Sequence, residues 1–234
     1  MKKLVRVINL GRMEYNKCLK IQQHILAENL SSPNSNSLIL VEHDPVYTVG
    51  LRKQTYSKEY LENLAKLGAQ VTKTDRGGLI TFHGPGQLVA YPILNLINFE
   101  PSLKWYVSRL EEIIIDLCKV NFGLTAYRMC NIGYTGVWCN DAKIAAIGIY
   151  AKRLITYHGL SLNCNVDLKW FSNIVPCGIT DKSVSSLSKI MDQNLAIKQI
   201  EPMFLNSFSR VFDCDLDFVN EEQVRDLIYK VVDK

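Results

Sequence analysis

Residues 75–92 read DRGGLITFHGPGQLVAYP. Between two β-prone runs this stretch gathers Arg76, His83, Pro85 and Gln87 with four glycines, Gly77, Gly78, Gly84 and Gly86. Glycine reaches positive φ at little steric cost, so a chain this rich in it turns sharply or lies close against a bound group. A plain hairpin turn would be served by glycine and proline alone and has no need of Arg76, His83 and Gln87 together. The stretch therefore reads as a ligand site. Neither GxxxxGKS/T nor GxGxxG occurs in the chain, which excludes a nucleotide P-loop and the dinucleotide fingerprint.

Working upstream, residues 71–74 lead into the stretch from a helix whose face carries Tyr60, Leu61, Leu64 and Leu67, with Ser57 as cap and Gly68 as stop. Before it, residues 38–41 and 46–51 are extended and separated by His43-Asp44-Pro45. The segment SSPNSNS, 31–37, is a flexible connector to a first strand, 4–10, and a helix with Tyr15, Leu19, Gln22, Ile25 and Leu26 at helical spacing. The N-terminal residues MKKLVRVINL show neither the pattern of a secretory signal nor that of a transit peptide, so the fold is expected to begin with them.

Working downstream, residues 88–94 form a buried strand, and Leu103, Val107, Leu110, Ile114 and Leu117 mark one face of a long helix that ends near Gly123. Residues 136–139, 143–150 and 154–163, with a turn at Asn140-Asp141, make a hairpin or meander. Residues 168–189 are irregular and close on a serine-rich strand candidate. Ile200, Phe204, Phe208 and Val211 form a helical face, and Asn220 with Gln223 is a capping box for a last helix that buries Val224, Leu227, Ile228 and Val231. Strands and helices mix without βαβ regularity, so the expected class is α+β with a largely antiparallel sheet. A catalytic domain, 1–194, carries a small C-terminal helical segment, 195–234, packed on it as one domain.

At 234 residues, 47% hydrophobic and 21% charged, the composition is that of a soluble globular protein with a sizeable core. A net charge of +4 is too slight to signal nucleic-acid binding, and the apolar runs are too short to span a membrane. Seven cysteines with no CxxC pair disfavour a zinc ribbon and a disulfide framework and point to a reducing compartment. Cys18, Cys118, Cys130, Cys139, Cys164 and Cys214 sit in or beside regular elements, where cysteine is commonly a small buried hydrophobe. Cys177 differs: it lies in Pro176-Cys177-Gly178, inside a loop, and is either a nucleophile or a loop filler. A thiol becomes a nucleophile when a neighbour favours its thiolate. Lys143, at the head of KIAAIGI, is one candidate, either partly desolvated or simply a solvated lysine beside a turn. His83 and His158 are alternative bases for a cysteine–histidine pair, or hydrogen-bonded structural groups.

Five separated motifs, RGGLITFHGPGQLVAYPI (76–93), YTGVW (134–138), KIAAIG (143–148), HGLSLN (158–163) and FSNIVPCGI (171–179), closely resemble in order and spacing the lipoyl(octanoyl) transferase family, the animal mitochondrial members above all. The resemblance covers about residues 4–190 and implies a fold like the catalytic domains of biotin and lipoate protein ligases. It implies an acyltransferase that moves octanoyl from octanoyl-acyl carrier protein to a specific lysine of lipoate-dependent proteins, through an acyl-Cys177 thioester. Acceptors of this kind are the lipoyl domains of 2-oxoacid dehydrogenases and the glycine cleavage H protein. The compartment implied is the mitochondrion, or the cytoplasm for a bacterial source. No cofactor, metal, nucleic acid or membrane is called for, because the thioester already carries the activation that ATP would supply.

By the same resemblance Cys177 and Lys143 are catalytic. The acyl-binding segments fall on Arg76, Gly77, Gly78, Leu79, Ile80, Thr81, Phe82 and His83, on Ala146, Ile147 and Gly148, and on Gly159, Leu160 and Ser161. Phe82 and Ala90 depart from the family pattern, which often has tyrosine and glycine there, away from the proposed chemistry. Competing readings are an ATP-dependent lipoate-protein ligase, a lipoyl amidotransferase that takes its acyl group from another lipoyl protein, and a non-catalytic acyl-carrier-binding module. Arg52, Lys53, Lys73 and Arg76 are either a basic rim for an acidic carrier or scattered solubilising charges.

Overall fold

The first strand, β1 (Lys3–Met13), sends Val5 and Val7 to one side and Ile8 and Leu10 to the other, and that alternation decides how the molecule is layered. In the computed structural model, which describes residues 2–32, 35–52, 56–129, 134–174 and 183–233, β1 belongs to a nine-stranded sheet with helices on both faces. The elements follow as α1 (Tyr15–Ser31), β2 (Ser37–His43), β3 (Val46–Val49), α2 (Lys58–Lys66), β4 (Gln70–Lys73), β5 (Thr81–His83), β6 (Gln87–Ile93) and α3 (Leu103–Phe122). Then come β7 (Tyr127–Arg128), β8 (Gly136–Cys139), β9 (Ala142–Lys152), β10 (Ile155–Asn163), β11 (Ser183–Val184), α4 (Leu187–Met191), α5 (Ile197–Phe212), β12 (Cys214–Phe218) and α6 (Glu221–Ile228).

The large sheet runs β12-β1-β2-β6-β10-β9-β8-β7, with β11 paired to the start of β9. Its central pairings, from β2–β6 through to β8–β7, are antiparallel, while β1 lies parallel to β2 and to β12. The expected α+β class with a largely antiparallel sheet is the one observed. One face buries Val5, Leu38, Leu88 and Leu162 under α3 and α5; the other buries Ile8, Ile39, Val89 and Ile155 under α1 and α6. A second sheet, β4-β3-β5, packs Tyr47, Ile80 and Phe82 against Leu64 of α2 and against Phe171.

Several boundaries follow from local chemistry. The Ser57 hydroxyl accepts from the Tyr60 amide to open α2, Ser102 does the same for α3, and Asn220 with Gln223 forms the capping box of α6. Gly123 ends α3 at φ +64°, its amide returning to the carbonyl of Lys119. The serine-rich stretch departs from expectation. Only Ser183–Val184 is a strand, because the Ser186 hydroxyl caps the Lys189 amide and turns the chain into α4. The segment before it is a 3-10 turn over Leu168–Asn173, with Asp167 as cap. β12 is a strand between two helical faces that helical spacing alone did not announce.

Candidate active site

The stretch 75–83 is an arch that ties the small sheet to the large one. The Gly77 amide donates to the Ile149 carbonyl of β9 at 2.9 Å. A Cβ on Gly148 would meet Arg76 Cδ and the Gly77 carbonyl at 3.0 Å, so the arch lies on β9 only because that strand residue has no side chain. Arg76 turns inward and is 6% exposed. Its guanidinium donates to the Thr48 carbonyl at 2.6 Å, to the Thr48 hydroxyl at 2.8 Å and to the Gly77 carbonyl at 2.9 Å. It thus pins the arch to β3 and is no part of a surface rim; Arg52 and Lys73 are exposed, and Lys53 lies outside the described residues.

Under the arch runs a narrow slot. Arg76, Gly78, Thr81 and His83 form one wall, Ala146, Ile147 and Gly148 of β9 with His158, Gly159, Leu160 and Ser161 of β10 form the floor, and Tyr15, Val89 and Tyr91 close it. The space measures about 430 Å³, open solvent at its mouth included. A wider groove adjoins on the far side of Gly78, Ile147 and Gly148, lined also by Arg52, Gly77, Leu79, Val107 and Thr135. Two residues of the expected acyl-binding segments face away: Ile80 and Phe82 enter the small-sheet core, where Phe82 stacks on Trp170 at 4.9 Å. Tyr15, Val89 and Tyr91 were not anticipated as slot residues, and only the packing of Tyr15, at the start of α1, with Val89 and Tyr91 of β6, seen once the fold is known, connects them to it.

The polar groups of the slot are fixed in direction. The Asn163 side-chain amide donates to the Ser185 carbonyl at 2.8 Å, so the Asn163 oxygen faces Gln87 and accepts from its amide, also at 2.8 Å. That amide lies 3.3 Å from the Phe82 carbonyl as well, which leaves the Gln87 oxygen to face His83 Nδ1 at 2.6 Å. His83 must therefore carry its proton on Nδ1 and present Nε2 as an acceptor. Burial is the main cause that brings its pKa down to about 3. His43, 6.0 Å from His83 between ring centres, is fixed likewise: Nδ1 donates to the Met13 carbonyl, Nε2 accepts from the Tyr91 hydroxyl, and burial lowers its pKa to about 4.

His158 sits at φ +57° within β10, an uncommon conformation for a residue with a side chain. Its amide is taken by the Gln22 side chain of α1 at 3.0 Å, and its Nε2 donates to Asp75. Asp75 also accepts from the Tyr157 hydroxyl. Burial lowers the pKa of His158, and the bond from His158 is the main cause that lowers the pKa of Asp75.

Lys143 is 4% exposed, which settles the open choice in favour of a desolvated lysine. Its ammonium donates to the Thr135 carbonyl at 3.0 Å and lies 4.9 Å over the Trp138 ring. Thr135 lines the groove, so the carbonyl that holds the Lys143 ammonium belongs to a groove residue. The strand β11 pairs Val184 with Lys143 itself. Cys177 and Cys130 lie outside the described residues. Burial pushes the thiols of Cys18, Cys118, Cys164 and Cys214 up to about 12 and raises that of Cys139, which makes all five poor nucleophiles.

Residues 14–209 match the family model of the lipoyl protein ligase A/B catalytic domain. The chain is 48% identical to a mitochondrial octanoyl-acyl-carrier-protein:protein N-octanoyltransferase of Danio rerio, over 93% of this chain and 96% of that one. It is 36% identical to an octanoyltransferase of Desulforamulus reducens, over 95% and 97% of the two chains. Among solved structures it is similar in fold to lipoate-protein ligase A bound with ATP, with a TM-score of 0.76 at 15% identity, over 100% of this chain and 95% of that one.

Proposed function

The chain belongs to the lipoyl protein ligase A/B catalytic-domain family, and from that premise we infer that it is an octanoyltransferase serving protein lipoylation. The observation that carries this reading is the likeness to a named octanoyltransferase along nearly the whole of both chains. The donor is octanoyl-acyl carrier protein, and the acceptors are lysines on lipoyl domains of 2-oxoacid dehydrogenases and on the glycine cleavage H protein. The mitochondrion named for the animal relative, or the cytoplasm of a bacterial cell, is the compartment that goes with it.

The chemistry needs a thiolate. Cys177 supplies it, a choice supported by its PCGI motif and by the buried state of the five described cysteines. The Lys143 ammonium favours that thiolate by opposite charge. Cys177 sulfur adds to the thioester carbonyl, the bond to the pantetheine sulfur breaks, and the departing thiolate takes a proton from Lys143. The octanoyl group remains on Cys177 with its tail in the slot, against Val89, Ile147, Leu160 and the ring of Tyr15. The target lysine's amine then attacks, the amide bond forms as the carbon–sulfur bond breaks, and the amine's proton passes to Lys143, which regenerates both groups. Backbone amides of the glycine-rich arch serve the developing oxyanion.

Intact mass after incubation with octanoyl-acyl carrier protein tests this reading. One octanoyl adduct is expected on the parent chain and none on Cys177→Ala. An adduct that persists in the variant overturns the assignment of Cys177. Transfer of free octanoate that requires ATP overturns the transferase in favour of a ligase.

A further inference from the structure

The peptide unit between Thr135 and Gly136 is held at both ends. Glu111, 7% exposed on α3, accepts the Gly136 N–H on Oε1 at 3.1 Å. Lys143 donates its ammonium to the Thr135 carbonyl at 3.0 Å. In a trans peptide these two groups point in opposite directions, and no cis bond is present among the described residues. Glu111 of α3 therefore grips one edge of the rigid plane whose opposite edge Lys143 of β9 grips. Gly136 adopts φ +133°, and a Cβ there would come within 2.4 Å of the Ala145 carbonyl, so the plane can take this orientation only at glycine.

We propose that Glu111 is a positioning residue for Lys143: it orients the Thr135 carbonyl that aims the ammonium, and its carboxylate supplies the negative charge that keeps that ammonium protonated. The proposal rests on the catalytic role of Lys143 set out above. A buried carboxylate is costly without compensation, and this one has an amide donor and two cations acting on it, Arg128 and Lys143. Burial raises its pKa and those three groups lower it. Arg128, on β7, is already engaged by Glu112, which leaves Lys143 as the cation that shares a peptide with Glu111. From β8 the Trp138 ring faces the ammonium, and β10 and β11 present Leu162, Asn163, Val184 and Ser185 nearby, none of them ionisable at neutral pH. Glu111 lines neither the slot nor the groove, so it acts through the lysine and not on substrate.

The test separates geometry from charge. Glu111→Gln keeps an oxygen for the Gly136 amide and removes the charge, whereas Glu111→Leu removes both. For Glu111→Gln, kcat is expected to fall roughly tenfold with KM unchanged, and the alkaline limb of the pH–rate profile to move about one unit to lower pH, because an ammonium with one negative neighbour fewer gives up its proton sooner. For Glu111→Leu, a further loss of kcat is expected, and thermal unfolding of both variants distinguishes this from misfolding. An unmoved alkaline limb in a folded Glu111→Gln variant overturns the charge role, and an unchanged kcat in folded Glu111→Leu overturns the positioning role. Lys143→Met, run alongside, tests the premise separately: full activity there overturns the role of Lys143, whatever Glu111 does.

Discussion

Asp75 Oδ1 lies 2.8 Å from Nε2 of His158 and joins a carboxylate that is 42% exposed to an imidazole that is 1% exposed. The pair bridges the start of the arch and β10, and with the bonds from the Tyr157 hydroxyl to Asp75 and from the Gly77 amide to the Ile149 carbonyl it couples the roof of the slot to its floor. Asp75→Ala leaves the buried ring without its acceptor and should cost about 1–3 kcal/mol. Asp75→Asn retains an oxygen and should cost less than half as much. Urea unfolding at pH 7 measures both; equal losses would mean that the charge, and not the acceptor, matters.

The tautomer of His83 is a direct reading of hydrogen-bond direction. Nitrogen NMR should find His83 neutral, with its proton on Nδ1, at pH 7. Gln87→Leu should release that preference, because the acceptor at 2.6 Å is gone. His83→Ala should weaken octanoyl transfer while the titration of the reactive thiol stays where it was, since Nε2 lines the slot and Lys143 carries the acid–base role. A large upward move of the thiol titration would instead make His83 its base.

Acid should unfold this protein earlier than its carboxylates alone would. His43 and His83 are kept neutral in the fold, with pKa values of about 4 and about 3. In the unfolded chain they take up protons from about pH 6.5 downward. The stability they contribute is therefore complete above that pH and is lost as pH falls toward 4, on the order of 3 kcal/mol for each by that point. Replacing His43 by Gln, which can still donate to the Met13 carbonyl and accept from Tyr91, should flatten the loss between pH 6.5 and 4. Stability measured by urea at pH 7, 5.5 and 4 gives the slope for parent and variant.

Arg52 is exposed and lines the groove. If the acidic donor is steered there, Arg52→Ala should slow transfer from octanoyl-acyl carrier protein at limiting donor, and added salt should erase the difference, because screening acts within about 8 Å at physiological ionic strength. Octanoyl-pantetheine, which lacks the carrier, should be indifferent to both. Equal salt sensitivity of the two donors removes steering from the account.

Much of the fold was legible because its elements have chemical punctuation: Ser57, Ser102 and Asn220 cap helices, Gly123 ends one, and Asn140-Asp141 makes a turn with both residues at positive φ. The β9–β10 turn was less legible, since Arg153 and Leu154 adopt the same positive φ without being residues that favour it. Tertiary packing overrides their preference there. Of the face that periodicity assigned to α3, Leu110, Ile114 and Leu117 are buried, but Leu103 is exposed and Val107 only half-buried, while Tyr106, Glu111, Ile113 and Cys118 are buried as well, because α5 rather than the helix alone decides which side is covered. In the site, the glycine arch, His83, Lys143 and the β9 and β10 segments could be found from motifs. Asp75, Tyr15, Tyr91 and Glu111 could not, because their roles arise from which elements lie side by side in the fold.

The pairing of β1 with β12, in which Lys3 meets Cys214, is a contact between nearly opposite ends of the sequence. During synthesis β1 is made long before β12, and its outer edge has no native neighbour until then. That order makes the last edge a late, non-local step, slow by nature and open to strand exchange with other chains while it waits. A nascent or refolding chain should thus be most vulnerable to aggregation just before β12 and α6 dock. A chaperone that shields one edge of a growing sheet would rescue yield here without touching the catalytic residues at all.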